Sequence, residues 1–211
     1  MPPPDLAAAA AQLFGDRLPA AIEYATLLGT DGVVRGLIGP RETARLWDRH
    51  ILNCAVVAEL IPRDARVADV GSGAGLPGVV LALARPDLRV VLVDAQARRV
   101  DFLTECIATL RLAGVRALQG RVEDRSIRGA VGAVDVVTCR ALAPLERLAG
   151  WCLPLLNSGG RLLAIKGSSA SDEVTRGRAT LARYGASEVV VRRCGAGVVE
   201  PDTTVVDVVV G

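Results

Sequence analysis

The chain is poor in aromatic residues and lacks long apolar runs, and each shortage excludes a class of protein. Only 3% of the 211 residues are aromatic although 51% are hydrophobic, so the core must consist of Val, Leu and Ala. No apolar run reaches the roughly 18 residues that a membrane-spanning helix needs. Met1–Asp5 has none of the basic residues that begin a secretory signal. We expect a cytoplasmic protein without membrane contact, built as one domain or one domain with an appendage.

The cysteine pattern argues against a metal site and a disulfide framework, whereas the net charge does not decide whether the protein binds nucleic acid. The five cysteines are odd in number and show neither a C-x-x-C metal spacing nor a disulfide framework; they are Cys54, Cys106, Cys139, Cys152 and Cys194. We expect a reduced protein that holds no metal. The net charge of +2 leaves nucleic-acid binding open, because a local basic patch decides it. The basic residues are 24 arginines and a single lysine, Lys166.

The amino-terminal part of the chain is expected to be a helical extension, residues 1–60. Apolar residues recur at helical spacing in Leu6–Leu28, which predicts a helix there. We expect a loop at Gly29–Gly39 and a second helical stretch at Pro40–Leu60. The rest of the chain, residues 61–211, has a different pattern.

Residues 61–211 alternate strands with helices, which predicts an α/β fold. Runs such as Val90–Val93 are apolar throughout, as in parallel sheets that helices cover on both faces. A Gly/Pro-rich loop without a helix joins the last two strands, so these should pair antiparallel. The predicted strands are Arg66–Val70, Arg89–Val93, Val115–Gln119, Val134–Thr138, Gly160–Lys166, Ser187–Arg192 and Thr203–Val210. The predicted helices are Pro77–Ala84, Gln96–Leu112, Pro144–Leu155 and one near Ser171–Tyr184.

A glycine-rich turn follows the first strand. Gly71, Gly73 and Gly75 carry no Cβ atoms, so a ligand can lie against the backbone there. Asp94 ends the second strand, where a carboxylate can accept the hydroxyls of a ribose. The G-x-G-x-x-G dinucleotide pattern fails when read from Gly71, because Leu76 holds its last position, and read from Gly73 it starts two residues late.

The G-x-G-x-G spacing favours S-adenosylmethionine over NAD as the cofactor. A turn that binds nothing is the remaining alternative. Five parallel strands with a terminal antiparallel hairpin are also typical of the Rossmann-like sheet of class I methyltransferases that use S-adenosylmethionine. A dinucleotide-dependent dehydrogenase would need a sixth parallel strand and a catalytic domain for which the chain has no room.

Ligands of such sheets bind outside the carboxyl ends of the strands, so the remaining strand ends matter. The segment Gly120–Asp124 offers a carboxylate or carbonyl to an adenine amino group, and Arg140 and Lys166 border the pocket as cations. The Asn/Asp-Pro-Pro-aromatic motif of amine methylation is absent. Cys139 superficially offers the thiolate of cytosine C5 methylation, but it has no Pro-Cys neighbour, and a small residue at a strand end is the favoured interpretation.

Together these motifs resemble the RsmG/GidB family, the bacterial guanine-N7 methyltransferases of small-subunit ribosomal RNA. The likeness spans about residues 33 to 167. Its most specific parts are the Gly-Leu-Pro-Gly ending of the turn and an Arg-His-Ile-Leu helix. The matching segments are Asp69–Gly78, Arg121–Glu123, Cys139–Ala141, Ile165–Gly167 and Trp47–Leu52.

The resemblance implies a function and a set of site residues. It implies methylation of guanine N7 in 16S ribosomal RNA, in the 530-loop region, with the ribosomal RNA or small subunit as partner and a monomeric enzyme. The residues implied to contact S-adenosylmethionine are Gly71, Leu76, Val122, Glu123 and Arg140, beside Gly73, Gly75 and the ribose acceptor Asp94. Those implied to face the RNA or the base are His50, Arg49, Arg140 and Lys166.

The chain departs from the family pattern at three positions. Cys139 replaces a more usual Ser, Leu142 stands where an aromatic is common, and Asn53 replaces a frequent Asp, which leaves the partner of His50 open. Guanine N7 carries a free lone pair, so its methylation needs no general base. Further arginines are expected to bind phosphate around the pocket: Arg35, Arg41, Arg45, Arg49, Arg98, Arg99, Arg121 and Arg125.

Other functions remain open at this point. A small-molecule or protein methyltransferase is compatible with the same sheet. A nicotinamide-dependent enzyme and a cofactor-binding regulator without catalysis are the further alternatives.

Overall fold

A computed structural model describes all residues, 1–211, and one seven-stranded sheet organises them. The strands are β1 Arg66–Val70, β2 Arg89–Asp94, β3 Val115–Gln119, β4 Val134–Arg140, β5 Leu156–Lys166, β6 Ala186–Cys194 and β7 Thr203–Val210. Their order is β3-β2-β1-β4-β5-β7-β6. Strands β1 to β5 are parallel, and β7 lies antiparallel between β5 and β6. This confirms the predicted α/β sheet with its terminal antiparallel hairpin.

Nine α-helices accompany the sheet. Before β1 lie α1 Ala7–Phe14, α2 Leu18–Gly29, α3 Asp31–Val34 and α4 Asn53–Ala55. The helices that alternate with strands are α5 Gly78–Ala84, α6 Ala97–Thr109, α7 Arg125–Val131, α8 Leu145–Cys152 and α9 Ala170–Arg183. None of the helices is long and apolar enough to cross a membrane.

The amino-terminal helices are less regular than the sequence predicts. The single helix expected over Leu6–Leu28 is broken by Gly15, whose φ of 48° only glycine adopts without strain. The expected loop at Gly29–Gly39 contains α3. The stretch Pro40–Leu60 is helical throughout, but it changes from a 3-10 turn to a π-helical turn at Leu46–Leu52, then to α4, and finally to a second 3-10 turn. Such π turns are rare and frequently occur at functional sites.

The structure contains a helix between β3 and β4 that the sequence did not predict. Helix α7 was not predicted, because its seven residues include Gly129 and give no clear amphipathic period. Strand β4 runs two residues further than Thr138, so Cys139 and Arg140 belong to the strand. Strand β5 begins at Leu156, ahead of the predicted Gly160.

Apolar side chains cover both faces of the sheet. One core joins residues of α1, α2 and the π turn to β1, β2 and helices α5 and α6. The other joins the opposite face of the strands to α8 and α9. The amino-terminal helices therefore share a core with the sheet, and this packing places the π turn against the carboxyl end of β4.

Candidate functional site

The glycine turn is held from below by a buried carboxylate. Asp69 is fully buried; its Oδ2 accepts the N–H of Gly78 at 3.0 Å, and its Oδ1 accepts the hydroxyl of Thr138 at 3.2 Å. Burial raises the pKa of Asp69 to about 6, against the hydrogen bonds that favour its ionised form. A Cβ at Gly78 would lie 2.3 Å from Leu92 Cδ2, so glycine is needed where α5 packs on the sheet. Sequence reasoning did not give Asp69 this role.

The three glycines of the turn do different things. A Cβ at Gly75 would lie 2.8 Å from the Tyr24 hydroxyl, which donates to the carbonyl of Ala74 at 2.7 Å. Gly75 therefore makes room for the amino-terminal helix α2. Gly73, at φ 58°, has nothing but the Gly71 carbonyl within 4 Å of such a Cβ, at 3.9 Å, so its surface stays open. Leu76 packs on the same core as Tyr24.

Asp94 lies beside this turn, with its carboxylate directed at it. Oδ2 accepts the N–H of Gly73 at 3.0 Å and the Arg99 guanidinium at 3.2 Å, and Oδ1 accepts the N–H of Gln96 at 2.9 Å. Its side chain is 3% exposed. Three of about four acceptor positions are thus filled. Arg99 takes one of these positions, and it is a partner that the sequence did not reveal.

A groove of about 260 Å³ runs along this edge of the sheet. It adjoins Gly71 and Asp94, and Val122 and Glu123 line it from the loop after β3. Val122 is buried, whereas Glu123 is exposed. Four of the residues predicted to bind a cofactor line this groove: Gly71, Asp94, Val122 and Glu123. Gly73 bonds to Asp94 without lining the groove, and the other predicted contacts, Gly75, Leu76 and Arg140, do not line it.

A second, larger cleft of about 820 Å³ lies at the ends of β4 and β5. Arg140 and Lys166 line it, and so do other basic residues: Arg49, Arg176 and Arg193. Leu142 lines both this cleft and the groove. Ala141 turns the chain with a left-handed φ of 49°, which brings Leu142 onto Gly71: a Cβ there would lie 2.5 Å from Leu142 Cδ1. The two cavities therefore meet at Leu142.

Arg140 is held by a chain of side chains from the π turn. Its Nη2 donates to His50 Nδ1 at 2.8 Å, and His50 Nε2 contacts Glu42 Oε2 at 2.8 Å. Burial, followed by the charge of Arg140, lowers the pKa of His50, so the imidazole is neutral at pH 7. The hydrogen bond from His50 lowers the pKa of Glu42. A neutral His50 that donates from Nε2 and accepts at Nδ1 satisfies both neighbours.

The hydrogen-bond partner of His50 that the sequence left open is Glu42. Asn53 bonds elsewhere: its Oδ1 accepts the hydroxyl of Thr203 at 3.0 Å, and its amide donates to the carbonyl of Arg49. Glu42 precedes His50 by eight residues, and only the 3-10 and π turns bring the two side chains together. No sequence signal indicated this pair.

Lys166 is paired and largely buried. Its Nζ donates to Glu173 Oε2 at 2.7 Å and to the carbonyl of Ala143 at 2.8 Å, and its side chain is 10% exposed. Burial acts to raise the pKa of Glu173, but the hydrogen bond and charge of Lys166 outweigh it, and the pKa is lowered. One N–H donor of Lys166 is left for a ligand in the cleft.

The structure also places Cys139. Cys139 is buried, with 2% exposure, within the apolar core on one face of the sheet, and it does not line the cleft. No group of three or more His, Cys, Asp or Glu side chains is arranged to hold a metal ion. The described site consists of a glycine-lined groove, an acid at the end of β2, and a basic cleft.

Known protein structures share this fold. The chain superposes with a TM-score of 0.54 on precorrin-6y C5,15-methyltransferase from Geobacter metallireducens, at 13% identity over 82% of this chain and 89% of the other. A TehB-like SAM-dependent methyltransferase from Corynebacterium glutamicum gives a TM-score of 0.54 at 16% identity, over 81% and 92% of the two chains. At such identities the likeness shows the methyltransferase fold alone.

Sequence comparison identifies the family. Residues 17–201 match the family model described as rRNA small subunit methyltransferase G. The chain is 58% identical to the ribosomal RNA small subunit methyltransferase G of Salinispora arenicola, over 98% of this chain and 87% of that one. It is 56% identical to the protein of the same name from Mycolicibacterium gilvum, over 97% and 88%. The resemblance seen in the motifs is confirmed, and the chain belongs to the ribosomal RNA small subunit methyltransferase G family.

Proposed function

We propose that this protein methylates N7 of a guanine in 16S ribosomal RNA, in the 530-loop region, with S-adenosylmethionine as methyl donor. One observation carries the proposal: a glycine-lined groove and a basic cleft meet at Leu142, in a chain of this family. The groove suits the donor, and the cleft suits a nucleotide with its phosphates. The ribosomal RNA, free or within the small subunit, is then the partner, and the enzyme acts in the cytoplasm as a monomer.

The residues around the groove fit an adenosyl cofactor. Gly73 leaves its surface open to a ligand, and Asp94 lies within hydrogen-bonding distance of that turn. Val122 and Glu123 also line the groove and offer an apolar side chain and a carboxylate. Bound S-adenosylmethionine supplies an electrophilic methyl group on a sulfonium. Asp94 would hold the ribose hydroxyls in place of Arg99, whose guanidinium takes one of its acceptor positions in this structure.

The basic cleft provides positioning and not proton transfer. Guanine N7 attacks with a free lone pair and loses no proton, so no side chain has to act as a base. The neutral His50 and Glu42 fix the Arg140 guanidinium, which can then hold guanine O6 or a phosphate. Lys166 contributes its one free N–H donor. Rate enhancement then comes from orienting the base in line with the methyl group.

The direct test is mass mapping of 16S ribosomal RNA from cells with and without this chain. We expect one guanine to lose a methyl group at N7 when the chain is absent. Purified protein with labelled S-adenosylmethionine should restore the mark on naked RNA or on the small subunit. Absence of the mark in both experiments would contradict the proposal and favour the small-molecule or protein substrate.

The cofactor groove has a separate test by S-adenosylhomocysteine binding. Asp94→Ala and Gly73→Val should abolish binding, the first through the ribose and the second through steric blockage. Asp172→Ala is the matched control, because Asp172 is an exposed acid of α9 without a side-chain partner. Lys166→Ala should keep binding and lose methylation of RNA. Unchanged affinity in the two groove variants would exclude this groove as the cofactor site.

A further inference from the structure

A third cavity lies at the opposite edge of the sheet, where the parallel strands begin. We call it the amino-edge cleft; it has a volume of about 450 Å³ and is lined by Arg66, Arg89, Arg116 and six small or apolar residues. No acidic residue lines it. The site proposed above for methyl transfer uses none of these three arginines.

The strand register forces the three guanidinium groups together. Arg66 and Arg89 are register partners at the first positions of β1 and β2, so their Cα atoms are about 5 Å apart. Arg116 pairs with Val91, which is two residues beyond Arg89 and on the same face of β2. All three side chains therefore leave the same face of the sheet. Like charges at neighbouring positions destabilise a sheet, so this arrangement costs free energy without an anion.

Internal contacts account for only part of the cluster. Arg116 donates to the carbonyl of Ala130, in the last turn of α7, at 2.6 Å, which is a common role for arginine at a helix end. Arg66 and Arg89 make no side-chain hydrogen bond, and none of the three arginines forms an ion pair. Asp135 is near, but its oxygens accept from the Arg66 backbone N–H and from Asn157. Arg89 in particular is exposed and unpaired.

The basic surface continues beside the cleft. A smaller cavity of about 160 Å³ shares Ala113, Gly114 and Val115 with it and adds Arg17 and Arg111. Arg17 Nε is buried and has no hydrogen-bond partner. Five arginines thus lie around two adjoining cavities, and neither cavity is lined by an acidic residue.

We propose that the amino-edge cleft binds phosphate groups of the RNA substrate, at a second contact remote from the methyl-transfer site. Guanidinium groups bind phosphate oxygens through paired hydrogen bonds, and several adjacent ones suit a polyanion better than a single ion. β2 separates Arg89 from Asp94 by roughly 17 Å, a span that one folded RNA covers. The inference rests on the proposed RNA substrate. It adds that the enzyme holds the RNA at both edges of its sheet.

The test compares two triple variants that remove the same charge. R66Q/R89Q/R116Q changes the cleft, and R147Q/R178Q/R183Q changes exposed, unpaired arginines of α8 and α9. We expect the first to weaken binding of the small subunit by about tenfold at moderate salt and to lower the slope of log K against log salt by about 2 to 3. The control should change affinity by less than about twofold. S-adenosylhomocysteine affinity should match wild type in both.

The single variant R89Q keeps the test valid if the triple variant fails to fold. It should fold normally, because Arg89 is exposed and makes no side-chain hydrogen bond. It should weaken RNA binding partially and lower the salt slope by about 1. Equal RNA affinity in the cleft and control variants would overturn the proposal. The proposal would also be overturned if inorganic phosphate alone raised the melting temperature of wild type but not of R66Q/R89Q/R116Q, while the two proteins bound RNA with equal affinity.

Binding is measured apart from methyl transfer, so the two proposals fail separately. A wild-type protein that binds the small subunit without methylating it contradicts the proposed reaction. The affinities of the two triple variants decide the second contact in either case.

Discussion

Ionisation of Asp69 should make the stability of this protein fall as the pH rises through about 6. Asp69 is fully buried beneath the glycine turn, and burial raises the pKa of its carboxyl from 3.8 to about 6. A carboxyl whose pKa is raised by folding stabilises the folded state below the unfolded pKa. That contribution is lost as pH rises through the folded pKa. A shift of about two units corresponds to about 3 kcal/mol in full, of which about 2 kcal/mol falls between pH 4 and pH 7.

The perturbation is Asp69→Asn, which keeps an acceptor for the Gly78 N–H and removes the titrating group. Urea unfolding of both proteins at pH 4, 5, 6 and 7 gives the free energy of unfolding at each pH. We expect the stability of the variant relative to wild type to rise by about 2 kcal/mol over that range. Other titrating groups cancel in the difference because both proteins share them.

Two parallel stability curves would refute this reasoning. They would mean that Asp69 is ionised in the fold at pH 4, so that its hydrogen bonds from Gly78 and Thr138 outweigh burial. S-adenosylhomocysteine binding by the variant is the accompanying check on the turn. It should persist, because the amide still holds the amino end of α5.

Three further predictions concern the rest of the site. Glu42→Ala should lower kcat for RNA methylation about tenfold with unchanged S-adenosylhomocysteine affinity, because Arg140 loses its support, and Glu42→Gln should recover part of the rate; equal rates would separate Glu42 from the site. Glu173→Ala should lower the free energy of unfolding by about 1–3 kcal/mol in urea titrations, because it leaves a buried lysine donor without its acceptor. Gly75→Ala should destabilise more than Gly159→Ala, since a Cβ at Gly75 would lie 2.6 Å from Val79 Cγ2 and one at Gly159 meets nothing within 4 Å. Both glycines have positive φ, so the difference in melting temperature isolates the steric clash, and equal losses would contradict it.

The local pattern of the sequence was sufficient to predict the sheet. Strands β1, β3 and β7 have the predicted ends, because each is a short run rich in apolar residues that turn or loop residues bound. The glycine spacing and the position of Asp94 are also local features of the sequence, and they indicated an adenosyl site. Chain order alone brings these segments to one edge once the fold is α/β.

The irregular helical segments could not be predicted from the sequence. Helix α7 is short and contains Gly129, and the stretch Pro40–Leu60 changes helix type three times. These choices depend on packing against the sheet, which overrides weak local propensity. The position of His50 follows from the π turn and not from any helical period.

The partners of the charged residues were decided only by the tertiary structure. Glu42 meets His50 and Glu173 meets Lys166 because separate helical segments converge on the ends of β4 and β5. The register of β1 with β2 sets Arg66 beside Arg89, which no reading of either strand alone predicts. The sequence by itself determined which segments are buried, because burial follows the pattern of hydrophobic residues. Which polar groups face each other depended on three-dimensional packing, since hydrogen bonds and ion pairs act only across a few ångströms.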